Sequence, residues 1–497
     1  MKKMVILRRL SQTVSCVLFI YVLWSTTYPL AGTIKPAMLF KSDPLMMAMV
    51  SISQRVILPG VAISIAMLLI AAALGRYFCG WVCPLGAAMD ITAALKKKHA
   101  ILSDNRSAAL RKIKFFFLGA FLILALAGIQ VAWICDPVTI AARFVSMNMI
   151  PALTWAADRI FIFLIRDCNM HGAISDLYHT LESNLLGVKV FYFAHSAAIL
   201  SFFAAICAAS FILQRFWCRA VCPLGALYSL AGRFSRLRRT TGGCVKCGRC
   251  VNSCRMGAIK KDFSYSQGEC ILCMECIYDC PSHVTKFGFS GASRPPVNTE
   301  SRKNFILILL SSLFTMGFAF PAGRKRSPGG VIRPPAALEE DHFVNRCIRC
   351  GNCMKVCQTN GLQPVMFQAG PGGIWTPQLV PETGYCEYLC TLCGKTCPTG
   401  AIPEITQEQK AVTKLGIAEI DRSTCLPWAK NKECIVCQEH CPVGEKAIKL
   451  DTYAGGPAKP YIDERLCVGC GICQNKCPVQ PVRAVKVSPR NADRKCI

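Results

Sequence analysis

The chain has 497 residues, 53% hydrophobic and only 17% charged, with a mean hydropathy of +0.36, a balance that excludes an ordinary soluble enzyme and places part of the chain in lipid. Its 33 cysteines fall at short regular spacings, which excludes a scattered disulfide framework and points to metal ligands. The formal net charge of +28 invites a nucleic-acid reading, but the basic residues flank apolar runs and cysteine motifs, so nucleic acid is not an expected partner.

The N-terminus, "MKKMVILRRLSQT", is basic and leads into an apolar run from Val14 to Leu30. No small-residue cleavage site follows, so this run reads as a retained first span, not a signal peptide. Further apolar runs cover Ile57–Leu74, Phe115–Ile134 and Val190–Leu213, each long enough to cross the hydrocarbon as a helix. A fifth, Asn304–Phe320, is at the short end. Lys2, Lys3, Arg8 and Arg9 precede span one. Lys96, Lys97, Lys98, Arg106, Arg111, Lys112 and Lys114 lie between spans two and three. Arg233, Arg236, Arg238 and Arg239 follow span four. The positive-inside rule then puts the N-terminus in the cytoplasm of a bacterial inner membrane and leaves residues 135–189 outside, with interfacial helices expected there.

Residues 244–280 read "CVKCGRCVNSC" and then "CILCMECIYDC", that is, C-x2-C-x2-C-x3-C twice. In this spacing the fourth Cys of each run ligates the other cluster. One [4Fe–4S] cluster is expected on Cys244, Cys247, Cys250 and Cys280, the other on Cys254, Cys270, Cys273 and Cys276. A pair of zinc sites would show isolated C-x2-C pairs instead. Beyond a Pro/Gly linker, four more runs follow: Cys347, Cys350, Cys353, Cys357; Cys386, Cys390, Cys393, Cys397; Cys425, Cys434, Cys437, Cys441; and Cys467, Cys470, Cys473, Cys477. These sixteen ligands suffice for four clusters, six in all. No nucleophile, flavin domain or haem motif accompanies them, so the expectation is a wire. "SRKNFIL" before span five resembles a twin-arginine export signal with Lys303 in place of its second Arg. It would carry a folded, loaded domain outwards; Arg324, Lys325 and Arg326 just beyond weigh the other way.

One motif is written twice, "RYFCGWVCPLGA" from Arg76 and "RFWCRAVCPLGA" from Arg215, each after an apolar run. Span pairs 1–2 and 3–4 therefore read as an internal duplication about an axis along the membrane normal. That axis would bring Cys79, Cys83, Cys218 and Cys222 together. They would ligate a seventh metal centre, act as redox thiols beside a quinone, or merely pack the turn. Pro84 and Pro223 suit the first turn of a helix, with Cys83 and Cys222 at its N-terminus. Arg76 and Arg215 are expected to neutralise lipid or a carboxylate. Cys16 and Cys207 read as packing residues in spans, Cys135 and Cys168 as external thiols able to pair or touch a cofactor, and Cys496 as part of the tail.

The expected architecture is multidomain: an α-helical membrane bundle of four spans as a two-fold repeat (residues 1–240), a cytoplasmic dicluster ferredoxin α+β domain (241–290), a fifth span with linker (291–342), and a four-cluster ferredoxin-like domain (343–497) on the extracytoplasmic side. Residues 1–290, through "FCGWVCPLGA" and "WCRAVCPLGA", resemble the NapH-type membrane subunit of periplasmic nitrate reductase systems. Residues 300–497, through "RPPAALEEDHFVNRCIRCGNCMKVC" and "CVGCGICQNKCPV", resemble the NapG-type four-cluster ferredoxin. The resemblance implies oxidation of quinol, menaquinol foremost, from the quinone pool in membrane lipid. Electrons would pass to an extracytoplasmic reductase or cytochrome subunits within a multi-subunit complex. It also implies nested cluster pairing in the C-terminal domain, run one with four and run two with three. A quinone site needs a proton acceptor, and His195, His171 and His179 are the available imidazoles. Two other readings remain open: a conduit from a cytoplasmic electron donor, and a redox factor for metalloenzyme assembly.

Overall fold

The computed structural model describes residues 2–28, 30, 36–96, 104–182, 191–289, 330–451 and 456–493. The expected fifth span, the "SRKNFIL" signature and Cys496 lie outside the described residues. The chain divides into two compact units, one holding the described residues of Met1–Leu23, Ala37–Val145 and Ala197–Ala322, the other those of Trp24–Pro36, Ser146–Ser196 and Gly323–Ile497. The expected boundary between residues 240 and 241 thus falls inside the first unit, where the dicluster segment packs with the helices before it. The second unit takes in Ser146–Ser196, which the sequence had grouped with the spans.

The first unit is built from one five-helix pattern used twice. Its first copy is Lys2–Trp24, Pro44–Gln54, Val61–Leu74, Tyr77–Trp81 and Pro84–Ala94. The second copy is Asp104–Leu126, Pro137–Phe144, Ser196–Ile212, Phe216–Ala220 and Pro223–Gly232. In each copy the second helix starts at Asp-Pro and the fifth at Cys-Pro. Proline fits the first turn because its missing N–H is an orphan there in any case. The preceding side chain supplies the cap: Asp43 accepts from Leu45 and Met46, Asp136 from Thr139, Cys83 from Gly86 and Cys222 from Gly225. The copies pack crosswise, Pro84–Ala94 against Pro137–Phe144 and Pro223–Gly232 against Pro44–Gln54.

Among the described residues, two helical stretches are long and apolar enough to cross a membrane, Lys3–Trp24 and Pro137–Arg166. The second falls in the stretch 135–189, where interfacial helices were expected. The expected second and fourth spans are shorter as helices than as apolar runs, and the third helix starts and stops earlier than its run. Val61–Leu74, with 14 residues, rises only about 21 Å, because Arg55 in the left-handed region and Pro59 keep the preceding stretch out of it. Asp104–Leu126 stops before Gly128, whose φ of 86° ends the turn. Residues 237–289 fold as a small ferredoxin-like module, with Leu237–Thr241 antiparallel to Thr285–Phe289.

The second unit contains three two-stranded antiparallel sheets: Leu362–Pro364 with Pro377–Leu379, Ile417–Ile420 with Val485–Ser488, and Ile448–Asp451 with Lys459–Ile462. A short helix lies within each cysteine run, just before its last cysteine. Asn352–Lys355 packs on Leu392–Lys395, and Val436–Glu439 on Ile472–Lys476. Cysteines fill much of the interior, with Cys425, Cys437, Cys467, Cys473 and Cys477 among the buried cores.

Candidate iron–sulfur centres

In the regular runs the backbone has one shape. Between the first and third cysteines, two residues adopt the left-handed conformation: Lys246 and Gly248, Leu272 and Met274, Arg349 and Gly351, Gly469 and Gly471. This alternation turns successive amides towards one centre, a concavity suited to an anionic group. The runs opening at Cys386 and Cys425 lack that pair, as their irregular spacing requires.

The cavities define which cysteines belong together. Cys244, Cys247, Cys250 and Cys280 line one of about 310 Å³, as the spacing predicts. Cys254, Cys270, Cys273 and Cys276 are mutual neighbours around a second centre, with the Tyr265 hydroxyl bonded to Cys270. In the second unit, Cys347, Cys350, Cys353 and Cys397 line a cavity of about 370 Å³, and Cys357, Cys386, Cys390 and Cys393 one of about 420 Å³. Cys441, Cys467, Cys470 and Cys473 line a third, of about 340 Å³. Cys425 has Cys434 and Cys477 as neighbours and packs with Cys477, and Cys437 sits beside Cys425 and Cys434. Run one therefore exchanges its fourth cysteine with run two, and run three with run four. The nested pairing is corrected: adjacent runs are already held together by their packed short helices and by the strand pair Ile417–Ile420 and Val485–Ser488 that brackets runs three and four.

These residues fit [4Fe–4S] clusters. Each centre offers four cysteines, four of the six add a nest of amides, and the buried Lys410 brings a positive charge beside Cys386, Cys390 and Cys393. Among the described residues, no three His, Cys, Asp or Glu side chains are close enough to share one metal ion. A single zinc needs sulfurs about 2.3 Å from one point, whereas a cluster of several irons separates them further. When bound, such a cluster takes up or releases one electron at a time. The two pairs in the second unit touch directly, the Cys386 N–H donating to the Cys470 carbonyl at 2.8 Å.

The repeated motif converges as the duplication predicts. Cys79, Cys83, Cys218 and Cys222 are all buried and are mutual electrostatic neighbours. Two fully buried arginines cross over between the copies. The Arg215 guanidinium lies beside Gly86 and donates to the Cys79 carbonyl at 2.6 Å. Arg76 lies so close to Gly225 that a Cβ there would come within 2.7 Å of its Nη2. Each arginine finds a carboxylate as counter-charge, as the sequence suggested. Arg215 forks onto Asp90 at 2.8 and 2.7 Å, and Arg76 donates to Glu269 at 2.9 Å. Burial alone would raise the Glu269 carboxyl, but Lys114 and Arg76 hold it down at about 2. Arg76 Nη2 has no hydrogen-bond partner among the described residues and faces Cys79, Cys218 and Cys222. A buried cationic donor left over beside four thiols fits an anionic thiolate centre and not four neutral packing residues. Without a metal, burial pushes the Cys83 and Cys222 thiols well up; a bound cation reverses that. Gly80 abuts the Ile271 carbonyl, and Trp81 Nε1 donates to the Leu272 carbonyl at 3.0 Å, so the quartet adjoins the Cys270 centre.

His171, His179 and His195 are exposed and belong to the second unit, whereas the quartet belongs to the first. His171 contacts Asn169 and His179 contacts Glu182. Cys135 and Cys168 are both free thiols, the first buried and the second exposed. Sequence reasoning missed the Asp-Pro caps and the crossed arginines. The paired "DP" at 43 and 136 was the available signal for the former.

Comparison with known proteins agrees with the cysteine geometry. A family described as a 4Fe-4S binding domain matches residues 56–101 and 196–241, the two copies of the repeated motif. A second family of the same description matches residues 342–363 and 460–483. The methylamine utilization ferredoxin-type protein MauM of Methylophilus methylotrophus is 33% identical over 196 residues, 38% of this chain and 84% of that protein. The ferredoxin-type protein NapG of Escherichia coli (strain K12) is 33% identical over 173 residues, 33% of this chain and 73% of that protein. NapF of the same strain is 31% identical over 163 residues, covering 33% and 89% respectively. No solved structure matches. The chain is an iron–sulfur electron-transfer protein, and over the matched third of its length it belongs to the family of ferredoxin-type proteins that includes MauM, NapG and NapF.

Proposed function

We propose that the chain is a membrane-bound quinol dehydrogenase-type protein that takes electrons from quinol and delivers them to an extracytoplasmic reductase. The observation carrying this reading is the buried cysteine quartet in the apolar unit, set against the Cys270 centre through Gly80 and Trp81. An electron entry point among apolar helices suits a lipid-soluble reductant, which a soluble ferredoxin alone could not meet. The likeness of the repeated motif to NapH-type subunits supports the same substrate. In this reading the chain's residues hold the centres, exclude water from the quartet and balance its charge with Arg76 and Arg215. The N-terminus lies in the cytoplasm and the four-cluster unit outside, within a complex containing the reductase.

A second reading has its own observation. Cys244 and Cys247 are exposed, flanked by exposed Lys246 and Arg249. A basic rim around an accessible centre suits an acidic cytoplasmic donor. The experiment that separates the two is anaerobic purification in detergent, addition of a menaquinol analogue, and cluster reduction followed by EPR. Reduction by quinol that a quinone-site blocker abolishes supports the dehydrogenase. Centres that ignore quinol but accept electrons from reduced ferredoxin leave the conduit.

A further inference from the structure

The two Asp-Pro caps do more than start their helices. Asp43 is 2% exposed and Asp136 is fully buried. Each spends one oxygen on its own helix: Asp43 Oδ1 accepts from the Leu45 and Met46 amides at 2.9 and 3.3 Å, and Asp136 Oδ2 from the Thr139 amide at 2.7 Å. Among the described residues, no donor reaches Asp43 Oδ2 or Asp136 Oδ1. Instead the two side chains lie against one another, within reach of a hydrogen bond. Two carboxyl groups so placed need one proton between them. Burial, with Asp136 alongside, pushes the Asp43 carboxyl up, in keeping with its carrying that proton.

Capping does not explain this arrangement. Asparagine caps as well as aspartate, and no cap needs its second oxygen aimed at another acid. Burying two carboxyls among apolar helices is costly, and such residues mark proton or substrate pathways. A second observation stands beside the pair. Tyr228, fully buried on the helix Pro223–Gly232, has a hydroxyl with no hydrogen-bond partner among the described residues. Its charged neighbours are Asp43, Cys79, Cys83 and Tyr77. Cys135 is a further titratable group beside Asp136. One side chain therefore neighbours both the aspartate pair and the cysteine quartet.

We propose that Asp43 and Asp136, with the Tyr228 hydroxyl neighbouring both the pair and the quartet, form the proton-accepting site for a membrane hydroquinone. The inference rests on the quinol reading above and gives that reaction its base, in place of the exposed histidines. Oxidation of the hydroquinone to quinone breaks two O–H bonds and releases two electrons to two oxidised iron–sulfur centres of the chain. The ionised carboxylate takes the first proton, passes it to water, and takes the second. Tyr228 orients the hydroquinone oxygen. The two helix N-termini that the aspartates cap each turn a positive dipole end towards them, which stabilises the charge while it waits.

The test uses the intact, anaerobically purified protein with Asp43→Asn and Asp136→Asn, which keep both caps. The expected result is cluster reduction by a menaquinol analogue slowed about a hundredfold, the scale of a lost general base, with iron content and dithionite reduction as in the wild type. Infrared difference spectra of the wild type should show a neutral carboxylic acid band that moves on quinol reduction and is missing from both variants. Variants reduced by quinol at the wild-type rate, or a wild type without that band, overturn the inference and leave quinol oxidation standing. A wild type that ignores quinol overturns both.

Discussion

Asp90 binds together three segments that are far apart in the sequence, so Asp90→Ala should be severe. Its carboxylate receives both donors of Arg215 at 2.8 and 2.7 Å, Arg255 at 2.9 Å and Gln12 at 3.1 Å, with Arg8 at 3.5 Å. Arg215 and Arg8 are 0% and 1% exposed. Removing the carboxylate leaves Glu275 to serve Arg8 and Arg255, but it strips Arg215 of its only ion-pair partner among the described residues. One buried pair broken from one side costs about 3–5 kcal/mol. For a unit of this size each kcal/mol lowers the midpoint by about 2–4 °C, so a fall of roughly 6–20 °C is expected. The assay is thermal unfolding in detergent, followed by loss of cluster absorbance. Burial works against ionisation of Asp90, but Arg215 and Arg255 outweigh it and hold the carboxyl well below its usual range. Its contribution is therefore complete above the unfolded value of about 3.9 and fades only as pH falls through the lower folded value. The gap between wild type and Asp90→Ala should stay level from about pH 5 to 8. A midpoint within about 2 °C of wild type would refute the assigned role of this ion network.

The cluster pairing has a direct test: Cys397→Ser should perturb the same EPR signal as Cys347→Ser, while a nested arrangement would couple Cys347 to the run ending at Cys477. Replacing Cys83 and Cys222 by serine should lower iron content by one cluster and leave the six other centres, and unchanged iron would return the quartet to packing. Gly225→Ala drives a methyl to 2.7 Å from Arg76 Nη2; a cost of about 1–3 kcal/mol is expected, read as a lower midpoint and a weakened quartet signal. Gly86→Ala, whose Cβ would meet the Cys79 carbonyl at 3.0 Å, should cost less.

Candidate ligands could be named because cluster binding imposes a local spacing, and local spacing is what a sequence records. Convergence of Cys79, Cys83, Cys218 and Cys222 was legible too, since eight of the motif's twelve letters recur in the same places. Pairing of the C-terminal runs was not: it depends on which short helices pack, a tertiary choice that C-x2-C spacing does not encode. The Asp-Pro half of the repeat stayed hidden because Ser146–Ser196, which belongs to the other compact unit, intervenes in the second copy and breaks the constant offset. The crossed arginines were unreadable for a similar reason, since each acts on the glycine of the other copy. Apolar runs overstated helix length because hydropathy does not see Arg55 or Gly128 in the left-handed region.

The left-handed pairs that shape the cysteine runs differ in their side chains, and that sets an order among the centres. A non-glycine residue in this conformation costs about 1–2 kcal/mol. The loop at Cys467 uses Gly469 and Gly471 and holds its shape without that cost. The loops at Cys244 and Cys347 carry one such residue each, Lys246 and Arg349. The loop at Cys270 carries two, Leu272 and Met274. Emptied of its cluster, the Cys467 loop stays folded as a template, while the Cys270 loop tends to relax. Assembly should therefore fill the Cys467 centre early and the Cys270 centre, next to the quartet, late. A chelator should empty them in the reverse order, so that the protein loses the centre beside the quartet first and keeps the iron at Cys467 longest.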